Sequence, residues 1–345
     1  MKRLLKKGTA LCILLIFVLM SGCAAPAAEE PPAPESGADG PSAEAPEDAG
    51  YKIALILNGA ISDMGWNASA HNGLLMIEEN YNAEVSYTES VSMSDAEGVI
   101  HGYAEAGYNV IFVHGSDMQD ATLAVAEDYP EIFFIITNGM KTNEKNIACV
   151  QVSDEEQGFL MGALAGLMTE SGVVGVLGGA EIPPLKNAVK GFEKGALHTN
   201  PDVKVLSTMT GSSTDVTAAK ETTLAQIGEG ADIVGAFANQ AGLGTIEAAQ
   251  EEGILCIGAG EDQWELAPDT VIVSIMKQIP VAFNYVFTQF DQGTLKPEII
   301  RMGVEEGVIY LSPWHNFEDK VPAEIKDTMD ELLARVAAGK IQILD

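Results

Sequence analysis

From Tyr51 onward the chain alternates short apolar runs with amphipathic stretches of 10 to 16 residues, and this repeat restricts the fold more than any other feature. The apolar runs at 52–57, 84–88, 109–114, 132–137, 147–151, 173–177, 203–209, 232–236, 254–258 and 270–274 have the length of buried strands. The stretches at 66–80, 94–106, 117–128, 155–169, 184–197, 215–228, 242–252 and 279–291 carry apolar residues at helical spacing. Strand followed by helix, many times over, is the pattern of a parallel sheet covered on both faces. Ten strands are too many for one such sheet in so short a chain, and the series divides after Val150 into two comparable sets. The expectation is an α/β protein of two doubly wound parallel-sheet lobes. Ligands of open α/β sheets sit beyond the carboxyl ends of the strands, so the loops at 58–66, 114–119, 138–141, 178–184, 237–242 and 259–264 are expected to face one cleft.

The segment before Tyr51 does not belong to that repeat. Lys2, Arg3, Lys6 and Lys7 precede an apolar run from Ala10 to Met20 and then Ser21-Gly22-Cys23, which reads as a signal peptide over 1–22. Small residues before a cysteine resemble a bacterial lipobox, in which Cys23 is lipidated; the alternative is a plain signal peptide with a chance cysteine. Residues 24–50 are rich in Ala, Pro, Glu and Gly and hold seven acids without a Lys or Arg, so they suit a solvated tether rather than a core. Without the four basic residues of the leader the formal charge moves from −31 to −35, which argues against nucleic acid or an anionic membrane surface as partner of the folded part. A small molecule is the expected partner. Nearly 300 residues remain, enough for two domains, and no second apolar run approaches the ~20 residues that span a bilayer. Cys149 and Cys256 lie inside strand-like runs and read as buried thiols, against a disulfide or metal pair.

The loop after the first strand, "NGAISDMGWNASAHNGLL" (58–75), places Trp66 and Asn67 at the first turn of a helix whose buried stripe is Ala70, Leu74 and Ile77. Trp66 either points at the cleft or fills space beneath the loop. Asp63 is placed to cap the helix or to face a ligand, and His71 to serve the site or the surface.

These residues resemble the basic membrane protein family of ABC-transporter solute-binding lipoproteins, several of which are purine nucleoside receptors. The resemblance runs from Lys52 to about Leu311, through Asp63, Trp66-Asn67 and Gly73, "DYPEIFFIITNG" (128–139), "DEEQGFLMGALAG" (154–166), "VVGVLGGAEIP" (173–183), "KGFEKGALHTNPDVKV" (190–205), "GADIVGAFANQAGLGTIEAAQEEG" (230–253), "IGAGEDQ" (257–263) and "SIMKQIPVAF" (274–283). It implies a type I periplasmic-binding-protein fold, with three crossovers and ligand closed between the lobes. Lobe one is expected at 51–150 plus about 275–311, and lobe two at 151–274 plus about 312–345. It also implies a lipid-anchored, extracytoplasmic monomer that serves ABC permease subunits and needs no cofactor. Three positions depart from the nucleoside receptors: Trp66 stands for a Phe, Asn138 for an Asp, and Gly260-Glu261-Asp262 for an Asp-Ser-Asp run implied to hold ribose hydroxyls. The spacing from Asp63 through Trp66 and His71 to Gly73 looks more like the subset associated with free purine bases.

A flat heteroaromatic ligand fits the residue types. Stacking contributes on the order of 1–3 kcal/mol per base, and Trp66 from lobe one with Phe237 from lobe two would supply both faces, unless Phe237 is strand-end core. Asn67, Asn138, Asn239 and Asp262 offer donors and acceptors for the edge, with Glu261 as a substitute acid. Lys277 either meets an anionic group of the ligand or pairs with Asp262 or Glu261. A sugar or amino-acid receptor of the same fold, or a ligand sensor without transport, uses similar residues. Enzyme readings have less support. "GLGTIE" (242–247) and "GAGED" (258–262) lack the last glycine of the dinucleotide fingerprint, and the chain has no Walker lysine motif, no G-x-S-x-G elbow and no histidine pair at metal-ligand spacing.

Overall fold

A computed structural model describes residues 50–63 and 65–344. The leader, Cys23 and the tether up to residue 49 lie outside the described residues, and no described helix is long and apolar enough to cross a membrane. The repeat forms two six-stranded sheets. In the first, β1 (Lys52–Leu57), β2 (Glu84–Thr88), β3 (Val110–His114), β4 (Phe133–Thr137) and β5 (Ile147–Val152) run parallel in the order β2-β1-β3-β4-β5. They are joined by α1 (Trp66–Tyr81), α2 (Ala96–Glu105) and α3 (Gln119–Ala126).

The second lobe repeats the order with β6 (Val173–Gly178), β7 (Lys204–Met209), β8 (Ile233–Phe237), β9 (Leu255–Gly260) and β10 (Val271–Lys277). Its helices are α4 (Asp154–Met168), α5 (Pro183–Thr199), α6 (Val216–Gly228) and α7 (Gly242–Glu252). The central strands are apolar and buried along most of their length, whereas β2 and β7, "EVSYT" and "KVLSTM", sit at sheet edges and are partly exposed. In each lobe the strand order reverses beside the first strand. Crevices therefore open at the carboxyl ends of β1 and β3, and of β6 and β8.

The chain crosses between lobes three times. After β5 it enters α4, which packs on α5 and β10; after β10 it returns as α8 (Ile279–Asp291), packed on α1, and as β11 (Ile299–Met302), parallel to β5. Through 303–308 it passes back to β12 (Ile309–Leu311), antiparallel to β10, and to α9 (Ala323–Ala337). The crossovers are tied to one another by hydrogen bonds: Ser153 N–H to the Met302 carbonyl (2.9 Å), Gln278 N–H to the Val308 carbonyl (2.8 Å) and Val304 N–H to the Glu156 carboxylate (2.8 Å).

These handovers shift the expected boundaries. β10 stays in the second sheet to Lys277 instead of leaving at 275, and β12 already belongs to that sheet at 309 instead of after 311. β11 and β12 escape the sequence pattern because four and three residues are too few to show a period. α9 does carry a signal, with Met329, Leu332 and Val336 buried at helical spacing.

The interior of lobe two is set by α4, whose sequence DEEQGFLMGALAGLM is apolar around most of its circumference, as only an interior helix can be. It meets α5 backbone to backbone. An added Cβ at Gly162 would collide with the Phe192 carbonyl oxygen, and one at Gly195 with that of Phe159. The crossing fixes α5 on the lobe, and the start of α5 forms part of the cleft wall. Gly162→Ala is therefore expected to destabilise the protein by at least ~1–3 kcal/mol, the cost of overpacking. Gly102→Ala on α2, where an added Cβ meets nothing within 4 Å, is expected to stabilise it by about 0.5–1 kcal/mol. Urea unfolding of both variants beside the wild type measures the two effects, and a neutral Gly162→Ala would contradict the close crossing.

Candidate functional site

A cavity opens between the lobes beyond β8, β9 and β10, facing the first turns of α1. It holds about 780 Å³ of atom-free space, part of it open solvent. Lobe one contributes Gly65, Trp66 and Ser69; lobe two contributes Asp154 and Gln157 from α4, Phe237 and Asn239 at the end of β8, Glu261 and Gln263 after β9, and Lys277 at the end of β10.

The lobe-one wall is built from the loop after β1. The Asp63 carboxylate accepts the N–H groups of Gly65 (3.0 Å), Asn67 (2.9 Å) and Ala68 (3.0 Å), and also the Asn67 amide (2.9 Å). An anion there closes the turn and offsets the positive end of the helix, which starts at Trp66. His114, the last residue of β3, stacks on the indole with ring centroids 3.9 Å apart and an interplanar angle of 27°. Its Nε2 is 3.1 Å from the Trp66 carbonyl, and its Nδ1 is 3.1 Å from the Thr137 hydroxyl. A carbonyl only accepts, so Nε2 carries the proton and Nδ1 accepts from Thr137. Burial lowers the His114 pKa to about 3, a shift partly opposed by its bond to the Trp66 carbonyl. A neutral imidazole thus closes one face of the indole.

On the other side the Lys277 ammonium lies 5.0 Å from the indole centroid. Lys277 forms an ion pair with Asp154, the first residue of α4, and both side chains are largely buried. This corrects the expected pairing with Asp262 or Glu261. Asp154 stands at the amino end of α4, where the helix dipole favours a carboxylate. Asp262 instead lies 2.7 Å from His315 Nε2, and Glu261 accepts from the Gln278 amide at 3.3 Å. His315 in turn stacks on Trp264, 4.4 Å between centroids at 14°.

The structure gathers Trp66, Phe237, Asn239, Glu261 and Lys277 around one cavity. Asn138 lines an adjoining cavity with Ser116, Gln151 and Arg301, and its Oδ1 accepts the Val152 N–H at 3.2 Å. Asp63 and Asn67 are engaged in the helix cap, His71 lies edge-on to Tyr87 at 4.6 Å, and Asp262 faces His315; none of these four lines the cavity. Sequence reasoning missed His114, Ser69, Asp154, Gln157 and Gln263. Asp154 and Gln157 were open to it, since they stand three apart at the start of a helix that follows a strand end. Cys149 and Cys256 are free and buried, and burial pushes their thiols up to about 11 and about 12. Among the described residues no group of three or more His, Cys, Asp or Glu is arranged to hold a metal ion.

The family described as ABC transporter substrate-binding protein PnrA-like (Bmp) matches residues 51–341. Basic membrane protein A2 of Borrelia garinii subsp. bavariensis is 31% identical over 305 residues, 84% of this chain and 87% of that one. Transcriptional activator protein med of Bacillus subtilis is 30% identical over 270 residues, 78% of this chain and 84% of that one. Among solved structures, an ABC transporter system solute-binding protein from Aeropyrum pernix K1 superposes with a TM-score of 0.75 at 21% identity, covering 85% of this chain and 92% of that one, which shows the shared fold.

Buried His114 at the site and partly buried Glu156 at the hinge give stability a pH dependence of opposite sign. His114 ordinarily titrates at 6.5 and is lowered to about 3, so the unfolded chain holds a proton there that the folded protein lacks. Its neutral form is fully compatible with folding above pH 6.5, and stability is lost as pH falls from there towards 3. Glu156, whose carboxylate meets Val304 in the third crossover, ordinarily titrates at 4.5 and is raised to about 7, by burial first, with Glu155, Glu306 and Glu305 adding to the shift. The folded form holds the extra proton here, so stability is lost as pH rises from 4.5 to 7. The two slopes oppose each other between about pH 4.5 and 6.5. Glu156→Gln keeps an acceptor for Val304 and removes one slope, so its melting temperature is expected to rise more steeply across that interval than the wild type's. Parallel melting profiles for the two proteins would contradict the raised Glu156.

Proposed function

This chain belongs to the Bmp family of PnrA-like ABC transporter substrate-binding proteins, and we propose that it binds a purine between its lobes. The observation that carries this reading is the indole of Trp66, closed on one face by the neutral, doubly hydrogen-bonded His114 and lining the interlobe cavity. A rigid aromatic platform whose second face carries only the Lys277 ammonium, 5.0 Å from the ring centroid, suits a flat heterocycle, and Phe237 of lobe two lines the same cavity. The Asn239 amide supplies a donor and an acceptor for ring nitrogens and exocyclic groups; Gln157, whose Nε2 donates to the Ile275 carbonyl (2.8 Å), and Gln263, whose Oε1 accepts the Ala259 N–H (3.1 Å), add an acceptor and a donor. Free base is favoured modestly over nucleoside. Gly260 has a φ of 90°, a conformation that disfavours a side chain there, and Asp262 is turned to His315, which leaves Glu261 as the acid of that loop in the cavity.

Isothermal titration with adenine, guanine, hypoxanthine, xanthine and their nucleosides tests the reading. At about 100 times its dissociation constant a bound purine adds about 2.7 kcal/mol of stability. Heat with a sugar or amino acid and none with any purine would refute it. Trp66→Ala is expected to weaken purine binding roughly 5- to 150-fold, and Trp66→Phe much less; an unchanged dissociation constant beside a large fall in melting temperature would make the indole structural fill.

We also propose that the protein is held on the extracytoplasmic face of the cell membrane by a lipidated Cys23, and that it delivers its ligand to ABC permease subunits as a monomer. Ser21-Gly22-Cys23 and the acidic stretch after it support the anchor. Each buried lipid CH₂ contributes about 0.8 kcal/mol, so several acyl chains hold firmly. Cys23→Ser is expected to abolish fatty-acid labelling and release the protein from the membrane fraction; a variant still labelled would refute the assignment.

A further inference from the structure

We propose that Ser69 is a ligand-binding residue of the cleft, its hydroxyl hydrogen-bonding a polar atom on the edge of the bound purine. This rests on the purine reading above. Ser69 is 3% exposed and lines the interlobe cavity, and its Oγ has no hydrogen-bond partner among the described residues. Its backbone is satisfied in the ordinary way, with the N–H donating to the Gly65 carbonyl at 2.8 Å.

A buried helical hydroxyl can turn back onto the carbonyl four residues earlier, and two buried threonines of this protein do so: Thr122 donates to the Met118 carbonyl (2.9 Å) and Thr223 to that of Ala219 (2.9 Å). Ser69 does not. The other buried positions of α1 are Ala70, Gly73, Leu74 and Ile77, which are apolar, and Asn67, whose amide nitrogen is committed to Asp63. Within α1, Ser69 alone combines a buried polar side chain with a place in the cavity wall.

An alanine would fill the same space without burying an unmatched hydroxyl, which is costly in a folded protein. In a binding site that cost is removed when a ligand supplies the partner. Ser69 stands three residues after Trp66, on the same flank of the helix and about 4.5 Å further along its axis. A ring lying on the indole face opposite His114, beside the Lys277 ammonium, therefore brings its edge towards the hydroxyl. Because a hydroxyl both donates and accepts, it can meet a ring nitrogen, an oxo group or an amino group. It rewards a polar edge over an apolar one rather than one purine over another.

The test separates this role from a structural one, since the two predict opposite outcomes. Ser69→Ala and the near-isosteric Ser69→Cys are compared with wild type by ligand-free melting temperature and by titration with adenine and hypoxanthine. The expected result for Ser69→Ala is an unchanged or raised melting temperature with affinity weakened roughly 5- to 100-fold, and Ser69→Cys, a weak donor, falls between. A lowered melting temperature in Ser69→Ala, or affinities within twofold of wild type, would overturn the inference and leave purine binding standing. A wild-type protein that binds neither these nor the other purines overturns the parent reading and this inference with it.

Discussion

The ion pair between Asp154 and Lys277 is the contact on which the arrangement of the cleft depends. Asp154 is the first residue of α4, where the chain enters lobe two, and Lys277 is the last residue of β10, where it leaves. The pair therefore joins two of the three crossovers at the floor of the cavity, and the ammonium reaches Trp66 of lobe one. Two charges removed from water are held there at a considerable desolvation cost, which the attraction between them offsets only while both are present. Loss of either partner leaves an isolated charge beneath the ligand, so this pair constrains the site more than any single apolar contact does.

Around that floor the two lobes do different work. Lobe two is made stiff by the glycine-mediated crossing of α4 and α5, which leaves no room for sliding between the helices that present Asp154, Gln157 and Ala188. Lobe one presents a short wall, whose platform is positioned from behind: Asp63 fixes the start of α1, and His114 fixes the indole from below through one stack and one hydrogen bond. The crossovers bond to one another through backbone groups and Glu156, so motion of one lobe against the other must bend these few residues together.

Much of this was legible in the sequence, because the strand and helix periods of a buried parallel sheet are strong and repeat many times. All ten apolar runs became strands, and the placement of ligand loops at strand ends follows from the same topology. What stayed hidden was of two kinds. Strands of three or four residues, β11 and β12, have no period to read, and they decide where the crossovers fall. The partners of individual side chains were the other gap. Asp63 and Asn67 lie within three residues of Trp66 in sequence, yet they serve the helix end. His114 belongs to a strand 48 residues away, and only the strand order, β1 beside β3, brings its ring under the indole. Spacing along the chain ranks residues as candidates, whereas sheet order assigns them to the site.

The charge balance of the cavity then narrows what the proposed purine can carry. Its one cation among the described lining residues, Lys277, is already matched by Asp154, and Glu261 adds a carboxylate whose recorded partner is an amide. The adjoining cavity has Arg301, but Glu155 lies 3.8 Å from it and Asp154 shares its wall. An anionic group entering either space meets carboxylates before it meets an unmatched cation, and like charges brought together are unfavourable. The carboxylates that match Lys277 and Arg301 thus weigh against a phosphate or carboxylate on the proposed purine. A neutral heterocycle keeps the ion pair intact and uses the aromatic face and the amide of Asn239, with the unbonded amide atoms of Gln157 and Gln263.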